Sequence, residues 1–254
     1  TRRSSDLSIE GLKAQQQVYT NLVSNVATTS ASAAEVQMKA KVVTDVLKSG
    51  GGTDSTTKKT AVDALTVLSD SLQSNAGTET TSSITTTADT VFTAIGVLLT
   101  DDVVSSKGSS SSGKGKASRR SEIFSDASTK LLKSINRVSE TLAKTIKAAA
   151  SATSFVKPTF SVTLKGADTT IPKPLSLDIA VASKRSASST IGVDIGAEAF
   201  EQAATLGHSS VVVTKMTFVT SLYPTPTENA TIATSTVSLK MSNPAVSNNV
   251  IDQA

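Results

Sequence analysis

The hydrophobic residues of this chain change their repeat near residue 154, and no single kind of secondary structure accommodates both halves. In the first half, apolar positions recur every three or four residues. Val36, Ala40, Val43 and Leu47 form one set, Ala61, Leu65, Leu68 and Leu72 a second, and Ile84, Ala88, Val91, Ile95 and Leu98 a third. That spacing gathers each set on one face of an α-helix, where it can pack on a neighbour. Leu12, Tyr19, Leu22 and Val26 predict an earlier helix, and Phe124, Ala127, Leu131, Ile135, Val138 and Leu142 predict a fifth over about 121–149.

Local signals mark the ends of these helices. Ser32-Ala33-Ala34-Glu35 reads as a capping box, in which serine oxygen and glutamate carboxylate accept from exposed backbone N–H groups. Gly50-Gly51-Gly52 stops the second helix and Asn75-Ala76-Gly77 the third. The threonine-rich stretch 78–87 is the least helical start, because β-branched threonine loses side-chain freedom in a helix.

After Ser154 the period becomes two. Phe160-Ser161-Val162-Thr163-Leu164 alternates apolar and polar, as do Leu175–Ile179, Ile191–Ile195 and Val237–Met241, with a long strand or bent strand pair over 210–222. Such alternation predicts antiparallel strands with one packed face and one wet face. Pro158, Pro172, Pro174, Pro224 and Pro226 fall between the runs, where a missing N–H does little harm. Helices first and strands afterwards predict an α+β chain. Its parts are a helical bundle subdomain over 1–154 and an antiparallel β-sandwich subdomain over 155–254.

Composition narrows the chemistry. Aromatic residues make up 3% of the 254 and tryptophan is absent, so the core must rest on Val, Leu, Ile and Ala. Without cysteine there is no disulfide, thiolate metal site or cysteine nucleophile. The sequence reads as having no apolar run long enough to span a bilayer. It opens Thr1-Arg2-Arg3, without an initiator methionine or signal peptide, from which we expect a segment of a longer polypeptide. Any membrane association would come through flanking segments.

The net charge of +4 is concentrated in Lys107, Lys114, Lys116, Arg119 and Arg120, around Gly108-Ser109-Ser110-Ser111-Ser112-Gly113-Lys114. That stretch has the spacing of a phosphate loop. Gly115 stands where the magnesium-binding hydroxyl belongs, however, and a helix rather than a strand precedes it. The composition is that of a flexible linker over 105–120, joining the fourth and fifth helices, with Arg119 and Arg120 as a protease-sensitive point. No cofactor is implied.

His208 is the only histidine and sits in Leu206-Gly207-His208-Ser209-Ser210, a turn leading to a strand. A histidine beside a serine needs an orienting carboxylate to become a triad, so a loop histidine is the plainer reading. Asp101-Asp102 matches no calcium loop and reads as a solvated pair. Nucleic acid is not expected as a partner: the basic cluster lies in the linker, and six Phe and two Tyr offer few stacking platforms. Asn229-Ala230-Thr231 is an N-glycosylation sequon in a polar loop, a triplet that also arises by chance.

Three stretches of the second half carry a resemblance. They are Ile195-Gly196-Ala197-Glu198-Ala199-Phe200, Val211-Val212-Val213-Thr214-Lys215-Met216-Thr217-Phe218 and Ile232-Ala233-Thr234-Ser235-Thr236-Val237-Ser238-Leu239. Behind a Ser/Thr-rich helical half, their order resembles the GAIN-type extracellular domain, and especially the REJ/GAIN region of polycystin-1-like proteins. The resemblance implies a helical subdomain followed by a β-sandwich. Self-cleaving members carry a proteolysis motif with cysteines, tryptophans and a His-Leu-Ser/Thr triplet; this chain has none of these, so self-cleavage is assigned to no residue.

The expectation is a non-enzymatic extracellular module of a large cell-surface or ciliary-surface protein, structural, adhesive or mechanosensory. Its partners would be other protein domains or subunits of a surface assembly. Two alternatives stand beside it: a subunit of a filament or surface appendage, and an intracellular nucleotide or nucleic-acid binder built on the basic loop.

Overall fold

The computed structural model describes residues 2–49, 54–100, 117–147, 151–181, 189–218, 236–242 and 250–252. The chain forms two compact units, Thr1–Arg137 and Val138–Ala254, which divide within one helix. The change of hydrophobic period falls later, at 154/155; the last turns of that helix group with the strands that follow.

The first unit is helical: α1 (Arg2–Val26), α2 (Ala33–Lys48), α3 (Ser55–Asn75), α4 (Thr81–Thr100) and the greater part of α5 (Ala117–Ala143). The apolar stripes of α2, α3 and α4 are all buried, as are Leu131 and Ile135 of α5. Ser32 caps α2 by accepting from the Glu35 amide at 3.2 Å, while the Glu35 carboxylate accepts from the Ala31 amide at 2.9 Å. Glu79 reaches across from the start of α4 to accept from the Ala33 amide at 2.8 Å, so two elements satisfy the N-terminus of α2. Asp54 caps α3, accepting from the Thr57 amide at 2.8 Å.

The threonine-rich start of α4 is helical. Thr85, Thr86, Thr90 and Thr93 each donate a hydroxyl proton to the carbonyl four residues earlier, which satisfies the side chain without breaking the backbone ladder. α4 also corrects the membrane reading, for it is long and apolar enough to cross a bilayer by length and composition. Its apolar residues are used inside the unit: Ile84, Ala88, Val91, Phe92, Ala94, Ile95 and Leu98 are buried, and the helix packs on α2 and α3. A helix with neighbours on more than one side gains apolar residues on more than one face.

α1 departs from its expected face. Leu12 and Leu22 are exposed, and the helix turns Val23 and Thr20 inward, with Thr20 and Thr57 hydroxyls 2.7 Å apart. A sparse apolar stripe does not fix which way a peripheral helix is rotated. Along α3 and α5, Asp63 meets Lys130, Thr66 meets Ser134 and Asp70 meets Arg137. The residue numbers rise together, so these two helices run parallel.

The second unit follows the α+β order: β1 (Thr153–Val156), β2 (Phe160–Asp168), β3 (Leu175–Val181), β4 (Ser189–Ile195), α6 (Ala197–Thr205), β5 (Ser210–Phe218), β6 (Thr236–Ser242) and β7 (Val250–Asp252). A sandwich is not established. The strands make a five-stranded antiparallel sheet in the order β1-β2-β5-β6-β7 and a separate two-stranded sheet, β3-β4. α6 is an element that strand periodicity did not predict; its nine residues bury only Phe200 and Ala203, too few to show a helical repeat.

The expected wet face is also corrected. Every residue of β5 from Val211 to Phe218 is buried, as are the first five of β2. On one face lie Phe160, Val162, Met216 and Phe218, with the Phe160 and Phe218 rings stacked at 6.2 Å between centroids. Lys240 shares that face by its register with Thr214, and its amine pairs with Glu140 on α5 at 2.6 Å. On the other face Val211 and Val213 pack with Leu177 of β3, Ile195 of β4, and Phe200 and Ala203 of α6.

The Asp54 cap is testable. The Thr57 N–H holds the Asp54 carboxyl below the ordinary aspartate range, so its contribution is present above that range and fades as pH falls through the depressed value. Asp54→Ala should cost about 1 kcal/mol at neutral pH. Urea melts at descending pH should show the difference between the two proteins shrinking.

Candidate functional site

Two places in the strand unit concentrate polar chemistry. The first is the corner where β2 ends and β5 begins. α6 terminates there in a pair of bonds from beyond the helix: the Gly207 amide donates to the Ala204 carbonyl at 2.9 Å, and the His208 amide to the Ala203 carbonyl at 3.0 Å. This closure needs a left-handed residue, and Gly207 supplies it with φ of 83°. The turn delivers His208, half-buried, together with Ser209 and Ser210 to the start of β5.

Asp168 is brought to the same corner, because it is the register partner of Ser210 in the β2–β5 ladder. The structure therefore gathers an aspartate, a histidine and two serines, where sequence reasoning had only the last three. Their bonds tie segments of chain together. The Thr169 amide donates to the Ser209 carbonyl at 3.2 Å, and the Thr169 hydroxyl donates to the His208 carbonyl. One Asp168 oxygen accepts from both the Thr170 amide, at 2.8 Å, and the Thr170 hydroxyl, at 2.6 Å. The Thr170 hydroxyl first, and its amide second, hold the Asp168 carboxyl below its ordinary value.

The second place is the covered face of the sheet. Lys215 follows Val211 and Val213 at intervals of two, so it points to the same side. It is 0% exposed, and its amine donates to the Leu177 carbonyl of β3 at 3.2 Å. Its register neighbours are Thr163 on β2 and Leu239 on β6. The hydroxyls of Ser154 and Thr163 lie 2.9 Å apart, and Ser161 hydrogen-bonds Thr217 in the next row. The polar positions of the alternating pattern thus form rows of cross-strand bonds around one lysine, with Ser161, Thr163 and Thr217 buried and Ser154 exposed on β1. An amine taken out of water in this way requires a good acceptor, and the β3 carbonyl provides one. Lys215 was missed in the sequence; the available signal was a lysine within a strand of valines at a position that matches their face.

Other sequence candidates lie elsewhere. Asn229, Asp101, Asp102, Lys114 and the stretch 105–116 fall outside the described residues. Arg119 and Arg120 belong to the first turn of α5, on helical backbone. Among the described residues, no group of three or more histidines or carboxylates converges to hold a metal ion.

No protein-family model matches this sequence, and no curated protein matches it. Among solved structures, the chain is similar to the full extracellular region of zebrafish Gpr126/Adgrg6, at a TM-score of 0.42 and 14% identity, covering 73% of this chain and 25% of that one. The chain thus spans about a quarter of that structure, and the likeness, to an extracellular region, is coarse. It gives no support to the REJ, ciliary or polycystin parts of the expectation.

Two measurements check the corner. Thr170→Val removes the hydroxyl and keeps the amide, so the Asp168 midpoint followed by NMR should rise toward the ordinary aspartate range; an unmoved midpoint would refute the assignment. Gly207→Ala meets no atom within 4 Å of its new methyl, so its penalty comes from backbone alone. Denaturant melts should register a loss of about 1–2 kcal/mol.

Proposed function

We propose that this chain is a non-enzymatic extracellular structural module of a large cell-surface or ciliary-surface protein. It acts by packing against other protein domains or subunits of a surface assembly and by transmitting adhesion or force. The observation that carries the reading is the use made of interior polar groups. Lys215 joins β5 to β3, Ser161 joins β2 to β5, and Thr169 joins the end of β2 to the turn before β5. Each of these bonds links segments far apart in sequence, which is what a framework that transmits force requires.

Chemistry at the surface supports the placement. The chain is rich in Ser and Thr, and where these are described on helices many donate to their own backbone. Such a surface stays hydrated without a dense charge pattern. The sequon at Asn229 supplies a point for glycan attachment.

Antibody labelling of intact and permeabilised cells, paired with glycosidase treatment of the wild-type and Asn229→Gln chains, tests the proposal. Surface labelling and a glycosidase-sensitive mass lost in Asn229→Gln are the expected outcome. Protein found only in the cytosol, with no glycan, would overturn it.

A further inference from the structure

The β3–β4 ribbon stands apart from the rest of the sheet in its bonding. β3 and β4 pair with each other over seven residues, from Leu175↔Ile195 to Val181↔Ser189, and belong to a different sheet from β2 and β5. The ribbon is inserted between two strands that are themselves neighbours. β2 ends at Asp168, β5 begins at Ser210, and these two residues are register partners. The Thr169 bonds to the Ser209 and His208 carbonyls fasten the two ends of the insertion to each other. Residues 169–209 are therefore an excursion that leaves the β2–β5 ladder and returns to it at one clamped point. All nine β2–β5 register pairs are made without any residue of the ribbon.

Among the described residues, the ribbon is held by a small apolar cluster and a hydrogen bond. Leu177 and Ile195 are its buried side chains in the shared apolar cluster, with Leu175 and Val193 partly buried beside them. A polar attachment is the bond from the Lys215 amine to the Leu177 carbonyl, made where Lys215 is wholly buried. A two-stranded ribbon is marginal by itself, so its closed position depends on these contacts. If the amine is removed, the Leu177 carbonyl loses that donor inside the protein, and this costs more than a bond lost at the surface.

We propose that β3–β4 is a releasable cover over β5, latched by Lys215 and hinged at the Thr169–His208 corner, and that it opens as a unit before the sheet beneath it. Opening bares Val211, Val213 and the Lys215 amine. The device does not depend on where in the cell the module works.

Native-state hydrogen exchange of the full chain in low denaturant, read by NMR, tests this. The β3 and β4 amides should exchange together through an opening with a small denaturant dependence, well ahead of the β2 and β5 amides. Lys215→Met keeps the length and apolar stem of the side chain. It should speed exchange in β3 and β4 about ten-fold while changing β2 and β5 less. An acylating reagent should modify Lys215 in the wild type at the rate of ribbon opening. If β3 and β4 exchange only with β2 and β5, the cover does not exist. If Lys215→Met leaves ribbon exchange unchanged or slower, Lys215 is not its latch. Should Lys215→Met fail to fold, the wild-type exchange pattern and labelling rate decide the question alone.

Discussion

The pairing of β2 with β5 is the contact on which the strand unit depends. Nine register pairs, from Phe160↔Phe218 to Asp168↔Ser210, join segments about fifty residues apart. Closing so long a loop is entropically expensive, and the ladder offsets it by burying both of its faces. On one side the aromatic pair and methionine form an apolar surface to which Lys240 and Glu140 add an ion pair. On the other, the ribbon and α6 cover the valines, and cross-strand hydroxyl bonds occupy the remainder. β1, β6 and β7 extend this ladder, and the insertion 169–209 is anchored at its end.

A strand buried on both faces must deal with its polar side chains. Ser161, Thr163, Lys215 and Thr217 are all interior, and each would carry a desolvation penalty if left alone. The sheet places them in adjacent rows, where hydroxyls bond across strands and the amine reaches a carbonyl of the covering layer. Such bonds have strict geometry, so they fix register more tightly than interchangeable aliphatic contacts do. The helical unit solves a similar problem locally: Thr and Ser hydroxyls donate to the carbonyl one turn back, and Ser32, Asp54 and Glu79 satisfy helix starts.

Much of the helical unit was legible because its information is local. A stripe such as Ala61-Leu65-Leu68-Leu72 specifies a face, and Ser32 with Glu35 specifies a start, within a few residues. Legibility failed where the deciding neighbour was distant. Leu12 and Leu22 of α1 look like core and are exposed, because the contact with Thr57 fixes a different rotation. α6 has too few buried residues to announce itself. Asp168 gave no sign of joining His208, since forty residues separate them and only strand register brings the two segments together.

By itself the sequence determined the five leading helices and the alternating strands after them, the ends of several helices, and the absence of any cysteine chemistry, since each is a property of composition or of neighbours one turn away. Which polar positions are wet was decided by the tertiary structure alone. Alternation says that two faces of a strand differ, and it cannot say what lies over each. Lys215 is interior because a ribbon from earlier in the chain folds over β5, and that covering layer is not encoded in β5 itself.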